Sequence, residues 1–315
     1  MVDVAGGGHV GLAIESTHGT YAAPAVFAPV TSENLAENRN DPTRKAILGQ
    51  AVTLGKVGGR SWVEGEITME ALPLQMVYMM AASRWTIVKA GAGPYTYTAS
   101  DSALAHQRAV DGKSLTITVD RAGIGFAYLG CQVASQRFFV EDGMPMVAYS
   151  IIGREQTEDY TPGAVTIPTE VPFGADDIAL TIATLARCDI DSLEFNFDDN
   201  GEARFNLCGA EGADYVKFGE FNGSASFEAD FESKADYALW VARTTQEIQA
   251  VWTKDANQIL DIEIHGGIYD TYEVGLGAMG DQVRASAELM AVYAVGDTAA
   301  AQIELTTATD VTEIT

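Results

Sequence analysis

The sequence predicts a mainly β protein built as two tandem β-sandwich domains, each with a short flanking helix. Three observations predict it. Apolar and polar residues alternate with period two in "SLTITVD", "ILDIEIH" and "QVRASAELM". Stretches with helical spacing are short and few. And a sparse set of residues recurs in order: an offset of 158 positions carries Leu35 onto Leu193, Asn38 onto Asn196, Gly65 onto Gly223, Glu70 onto Glu228 and Ala71 onto Ala229. Further along, an offset of 145 brings "LTITV" (115–119) onto "LDIEI" (260–264), so the first copy carries an insertion. Repeats of one supersecondary order point to internal duplication. The domains are expected at 1–162 and 163–315.

The elements follow in chain order. "VDVAGGGHVGLAIES" reads as an extended N-terminal arm. Residues 37–61, "ENRNDPTRKAILGQAVTLGKVGGRS", read as a long polar loop. "VEGEITME" alternates as a strand and leads into a short helix at 72–83, "LPLQMVYMMAAS". The insertion is assigned to 89–112, which contains Gly, Pro and Ser, before the strand "LTITV". "MPMVAYSIIG" (144–153) closes the first domain as a strand. "TPGAVTIPTEVPFGADD" (161–177), with Pro162, Pro168 and Pro172, reads as the linker. "SLEFNFDDNGEARFNLCG" (192–209) is expected to be a hairpin. Its three-residue loop, Asp199–Gly201, sets Phe197 opposite Ala203. "FNGSASFEAD" then repeats the Gly-containing strand, and "SKADYALWVART" (233–244) repeats the helix. "ILDIEIH", "YEVGLGA" and "VRASAELMAVYAV" supply the last strands.

Composition narrows the function. The 315 residues exceed the usual size of one core, and no apolar run is long enough for a membrane-spanning helix. The N-terminus has neither the basic nor the apolar region of a secretory signal. Cys131, Cys188 and Cys208 are odd in number and lack metal-type spacing, so they read as reduced thiols. The net charge of −25 is uneven: 16 acids and 12 bases in 1–160 against 28 and 7 in 161–315. A protein this acidic cannot grip nucleic acid, because that requires bases to displace phosphate counterions. It can surround DNA without adhering to it.

The motifs that suggest chemistry fail on context. Gly6, Gly8 and Gly11 satisfy G-x-G-x-x-G, but no βαβ series surrounds them, which leaves a nucleotide-binding enzyme a distant alternative. Asp189, Asp191 and Asp198 do not fit a calcium-loop spacing. His9, His18, His106 and His265 form no zinc pair. No catalytic residue, cofactor or metal is expected. Glu64, Glu66 and Glu70 alternate on a strand as a solvated face.

The stretches "GLAIESTHGTYAAP" (11–24), "VTSENLAENRNDPTR" (30–44), "VEGEITMEALPLQMVYMM" (63–80) and "IIGREQTEDY" (151–160) resemble the major tail tube proteins of long-tailed, non-contractile (siphovirus-type) bacteriophages. The likeness is densest over 11–80. It implies a virion protein of the tail, assembled in the host cytoplasm. Its sheets join side by side in stacked rings around a tape-measure protein, capped by tail terminator and distal tail proteins and later threaded by double-stranded DNA. The simplest tube subunit has one such domain in a six-membered ring, so two domains per chain imply a trimeric ring. The alternative class is another self-assembling virion β-protein, such as a capsid decoration protein or adhesin. In the tube reading, the acids expected to face the lumen are Asp261, Glu263, Glu228, Asp230, Glu64, Glu66 and Glu70. The bases of the 37–61 segment, Arg39, Arg44, Lys45, Lys56 and Arg60, are expected at contacts between subunits or rings.

Overall fold

The computed structural model describes residues 8–45, 55–101, 113–157, 160–207, 211–231, 233–276, 282–293 and 299–314. It is mainly β with two short α-helices. The first half contains β1 (His9–Ile14), β2 (Val26–Ala28), β3 (Val30–Glu33), β4 (Ala36–Asn40), β5 (Arg60–Glu70), α1 (Pro73–Ala81), β6 (Thr86–Ala90), β7 (Tyr95–Ser100), β8 (Leu115–Arg121), β9 (Ile124–Glu141), β10 (Met144–Gly153) and β11 (Glu155–Thr157). The second contains β12 (Ile178–Ile182), β13 (Leu185–Ala186), β14 (Ile190–Asp198), β15 (Glu202–Arg204), β16 (Tyr215–Lys217), β17 (Asn222–Asp230), α2 (Ala235–Ala242), β18 (Gln246–Asp255), β19 (Gln258–Gly275), β20 (Arg284–Ala291) and β21 (Ala301–Thr307).

Two strands of 18 residues organise everything else. The first part of β9 lies between β8 and β11; from Gln132 onward it lies between β10 and β14. Likewise β19 starts between β18 and β21 and then pairs with β20. Each long strand therefore belongs to two sheets in succession. One long antiparallel sheet runs β3/β4–β5–β10–β9–β14–β17–β20–β19, crossing from the first half to the second at β9–β14. The other parts of β9 and β19 carry β2–β1–β8–β9–β11 and β13–β12–β18–β19–β21–β7–β6.

The pairing order of β1, β3/β4, β5, β8, β9 and β10 is repeated by β12, β14, β17, β18, β19 and β20. Irregularities recur at matching places. Thr31 bulges against β5 as Asp191 bulges against β17, an offset of 160 that sets Gly65 level with Ala225 and corrects the offset of 158 expected from sequence. The β8–β9 ladder shifts between Leu115 and Ile117 as β18–β19 shifts between Gln246 and Ile248. Ala134 bulges from β9 as Asp270 bulges from β19. A bulge bends its strand and re-aims the residues beyond it, so these strands are interrupted at matching places in the pairing order.

Several expectations are corrected here. The 192–209 hairpin does not form: β14 is flanked on both sides by β9 and β17, leaving no edge for β15, which pairs with β16. The counterpart of "LTITV" in β8 is β18, not the "LDIEI" of β19, because both β8 and β18 precede a long strand by a two-residue turn. The described part of the N-terminal arm is β1, held between β2 and β8. Gly11 sits there because a Cβ would lie 2.6 Å from Thr118 Oγ1 and 2.8 Å from Pro24 Cβ, a packing role; Gly6 lies outside the described residues. The 37–61 loop is partly strand, since β4 pairs with the start of β5, and Thr43 bridges Lys56. The helices stand where expected, as α1 and α2. The linker is irregular over 160–177, apart from its turn.

The halves share one core. Trp85 lies edge-on to Phe197 at 5.3 Å and Phe138 at 6.1 Å from Phe197, so a first-half tryptophan and phenylalanine clasp a second-half ring. The linker's Glu170 accepts from Leu74 N at 3.0 Å, capping α1, and from Thr307 Oγ1 of β21 at 2.6 Å. The hairpin β6–β7 completes the β13–β12–β18–β19–β21 sheet of the second half by pairing with β21.

Candidate lumen face and open sheet edges

Period-two alternation divides the long sheet into a buried and an open face. In β5, Val63, Ile67 and Met69 are buried, while Glu64, Glu66 and Glu70 point the other way. Gly65 lies on the buried side, where a Cβ would fall 2.7 Å from Leu35 Cα, so the break between β3 and β4 passes directly over it. The cross-strand ladder carries the open face onward: Glu66 is opposite Ser150, and Ser150 opposite Ser135. Across the junction, Ser135 is opposite Asp198, Arg137 opposite Asn196 and Phe139 opposite Glu194. Then Asn196 meets Ser224, Glu194 meets Ser226, and Ser226 meets Glu288. The last strand adds Thr271 and Glu273. The opposite face packs Leu193, Phe195 and Phe197 with Ala225, Phe227 and Leu289.

The open face is thus a field of Ser, Thr and Asn studded with carboxylates. Two of its bases are engaged by acids. Arg137 is 3.4 Å from Glu194, and Arg284 is 2.9 Å from Asp191 and 4.0 Å from Glu228. Burial pushes Glu70 up from the usual carboxylate range. Of the acids expected from sequence, Glu64, Glu66, Glu70, Glu228 and Asp230 stand together on this face. Asp261 and Glu263 do not. They lie in the first part of β19, between β18 and β21, on the outward side of the other sheet. Gln249 Nε2 donates to Asp261 at 2.8 Å, yet burial first, and then the neighbouring Glu263, Glu304 and Glu247, push Asp261 up to about 6. Glu194, Asp198, Glu273 and Glu288 join the face without having been expected there from sequence. The signal was present in the alternation of "SLEFNFD" and "ASAELM".

The sheet is open at both ends. Among the described residues, β3/β4 pairs only with β5, and β19 beyond Gly267 pairs only with β20. The five bases divide around the first of these edges. Arg39 is in β4, with its guanidinium 3.2 Å from Glu37; Arg60 begins β5 and lies 5.0 Å over the Phe205 ring. Arg44, Lys45 and Lys56 are exposed on the ribbon beyond them.

Inside the chain, the junction between halves is pinned by a buried triad. Arg84, after α1, lies between Asp101 (Nη2 at 2.6 Å) and Asp199 (Nε at 3.0 Å), and donates from Nη1 to Gly219 O at 2.9 Å. Asp199 N donates to the carbonyl of bulged Ala134 at 3.0 Å. Burial, despite Arg84, pushes the Asp199 carboxyl up to about 7.

No helix among the described residues is long and apolar enough to cross a membrane. A search of curated proteins returned no match. The family model for phage tail tube proteins matches residues 7–313. This is nearly the whole chain, both halves and both open edges included. The chain therefore belongs to the phage tail tube protein family, a structural component of the virion tail.

Proposed function

We propose that this chain is an internally duplicated tube subunit that closes into trimeric rings, which stack into the tail tube of a siphovirus-type phage with the long sheet lining the bore. The observation that carries this reading is the β9–β14 junction. One chain already joins two like halves edge to edge, and leaves the same two kinds of edge open at its ends. Exposed edges invite pairing with another copy, and a closed ring satisfies them all. Superposing the bulges sets the register between copies. It brings Thr271 opposite Asn38 of the next copy and Glu273 opposite Ala36. Arg39 then arrives at the level of bulged Asp270, an attractive charge pair. The ribbon bearing Arg44, Lys45 and Lys56 extends beyond the sheet, where it can meet the acidic surface of the next ring. The bore, rich in carboxylates and small hydroxyls, repels phosphate and lets DNA pass during ejection, after the tape-measure protein has left. Terminator and distal tail proteins cap the ends.

The test is a cysteine pair, Asn38→Cys with Thr271→Cys, in a chain with Cys188 and Cys208 replaced by serine. Oxidised assemblies should yield dimers and trimers of chains and nothing larger within a ring. Ladders reaching six chains per ring, or no cross-linked species from tubes seen in electron micrographs, would overturn the trimer and the register respectively.

A further inference from the structure

The two helices follow matching strands yet live in different surroundings. α1, after β5, buries Met76, Val77, Met79 and Met80 against β21 and β19 of the second half as well as β1, β2 and β9 of its own. α2, after β17, buries no residue; Tyr237 is 44% and Val241 59% exposed. Its half-buried Trp240 stacks on Tyr272 with ring centroids 6.4 Å apart, and Tyr237 lies 5.6 Å from Trp240. Tyr272 belongs to the part of β19 whose outer edge is open. Any strand that pairs with that edge arrives beside α2.

We propose that α2 is a contact helix for a second copy of this chain. Its Tyr237 and Val241 side packs onto β11 and the start of β9 of the next copy, as α1 packs onto β21 and β19 within one chain. The target follows from the matched topology: β21 flanks β19 on the side away from β18, and β11 flanks β9 on the side away from β8. Ile124, 64% exposed at the start of β9, lies on this target. Tyrosine and tryptophan supply large apolar area with a polar tip, the chemistry of a protein contact rather than of a permanently solvated helix. The inference rests on the ring reading, and the occupant is the copy whose β3/β4 edge meets β19.

Two variants test it beside the edge cross-link. Val241→Glu should leave the unassembled chain with the parental melting temperature, because this side chain is 59% exposed there, whereas Tyr237 already packs on Trp240. It should raise the concentration needed for ring formation at least tenfold. Val241→Cys with Ile124→Cys, treated with a short bis-maleimide in the serine background, should link chains only in assembled protein. Should the glutamate variant not fold, this cross-link decides alone. An edge cross-link that forms while the glutamate variant assembles at the parental concentration, or while the helix cross-link is absent, overturns the role of α2 and spares the ring. A parental chain that stays monomeric, with no edge cross-link, removes the second copy and the proposal with it.

Discussion

Arg84 serves two carboxylates where the halves meet, and that local arithmetic has a visible consequence. The Asp199 side chain is almost fully buried, with Asp101 and Asp198 nearby, and desolvation outweighs the attraction of the single guanidinium. Its folded value of about 7 stands above the ordinary 3.8. Below pH 4, both folded and unfolded chains hold this proton. As pH rises toward 7, the unfolded chain releases it while the folded chain keeps it, so stability falls across that window. Asp261, raised to about 6, acts in the same direction. The loss from Asp199 is on the order of 4 kcal/mol by pH 7. Asp199→Asn, which mimics the neutral carboxyl the folded chain holds below pH 7, is expected to leave the stability near pH 4 close to parental and to flatten the fall between pH 4 and 7. Urea midpoints of unassembled protein measured across that range check it. A variant with the parental slope would mean that Asp199 does not carry the proton.

At the scale of elements, the contrast between α1 and α2 sets two expectations. Met79→Ala, at a fully buried site, should cost about 2–5 kcal/mol in urea unfolding, whereas Val241→Ala should stay within about 0.5 kcal/mol. Equal losses would mean that the helices are equivalently packed in the free chain. The ribbon gives another expectation. Val57 N donates to Pro42 O at 3.1 Å, so removing residues 43–56 leaves a natural closure. That deletion should leave folding intact and shorten tubes in electron micrographs; tubes of parental length would make the ribbon dispensable. Much of this anatomy is legible in the sequence, and the failures have reasons. Alternation marks the faces of β5 and β17, and both helices announce themselves. Alternation cannot say which sheet a strand joins, so it groups Asp261 and Glu263 with Glu64 although they lie in the other layer. Local turn chemistry favours a hairpin after Phe197, but tertiary pairing of β14 on both sides prevails. A strand that changes sheets at a bulge leaves almost no compositional mark, which is why sequence matching aligns β8 with β19 rather than β18. The Arg84 triad joins residues from distant parts of the chain, and nothing short-range points to it.

For the whole molecule, the question is what the charge of −25 does. In the proposed ring, acids on the open face of the long sheet would oppose closure, since like charges would converge around the bore. The cost is screened by salt, with a Debye length of about 8 Å at physiological strength. Ring formation should therefore become easier as salt rises from low values. The repulsion has a use if DNA traverses the face, because each lysine placed there would offer phosphate a counterion and retard sliding. Glu66→Lys with Glu288→Lys tests the bore directly. Both side chains lie on the open face of the long sheet, one in each half. Virions built from this variant are expected to assemble and to eject DNA several-fold more slowly, and added salt should narrow the difference. The paired control, Asp261→Lys with Glu263→Lys, changes the net charge by the same amount on the other sheet and should eject at the parental rate. If the control slows ejection and the test pair does not, that other sheet lines the bore, and the orientation of the subunit in the ring must be reversed.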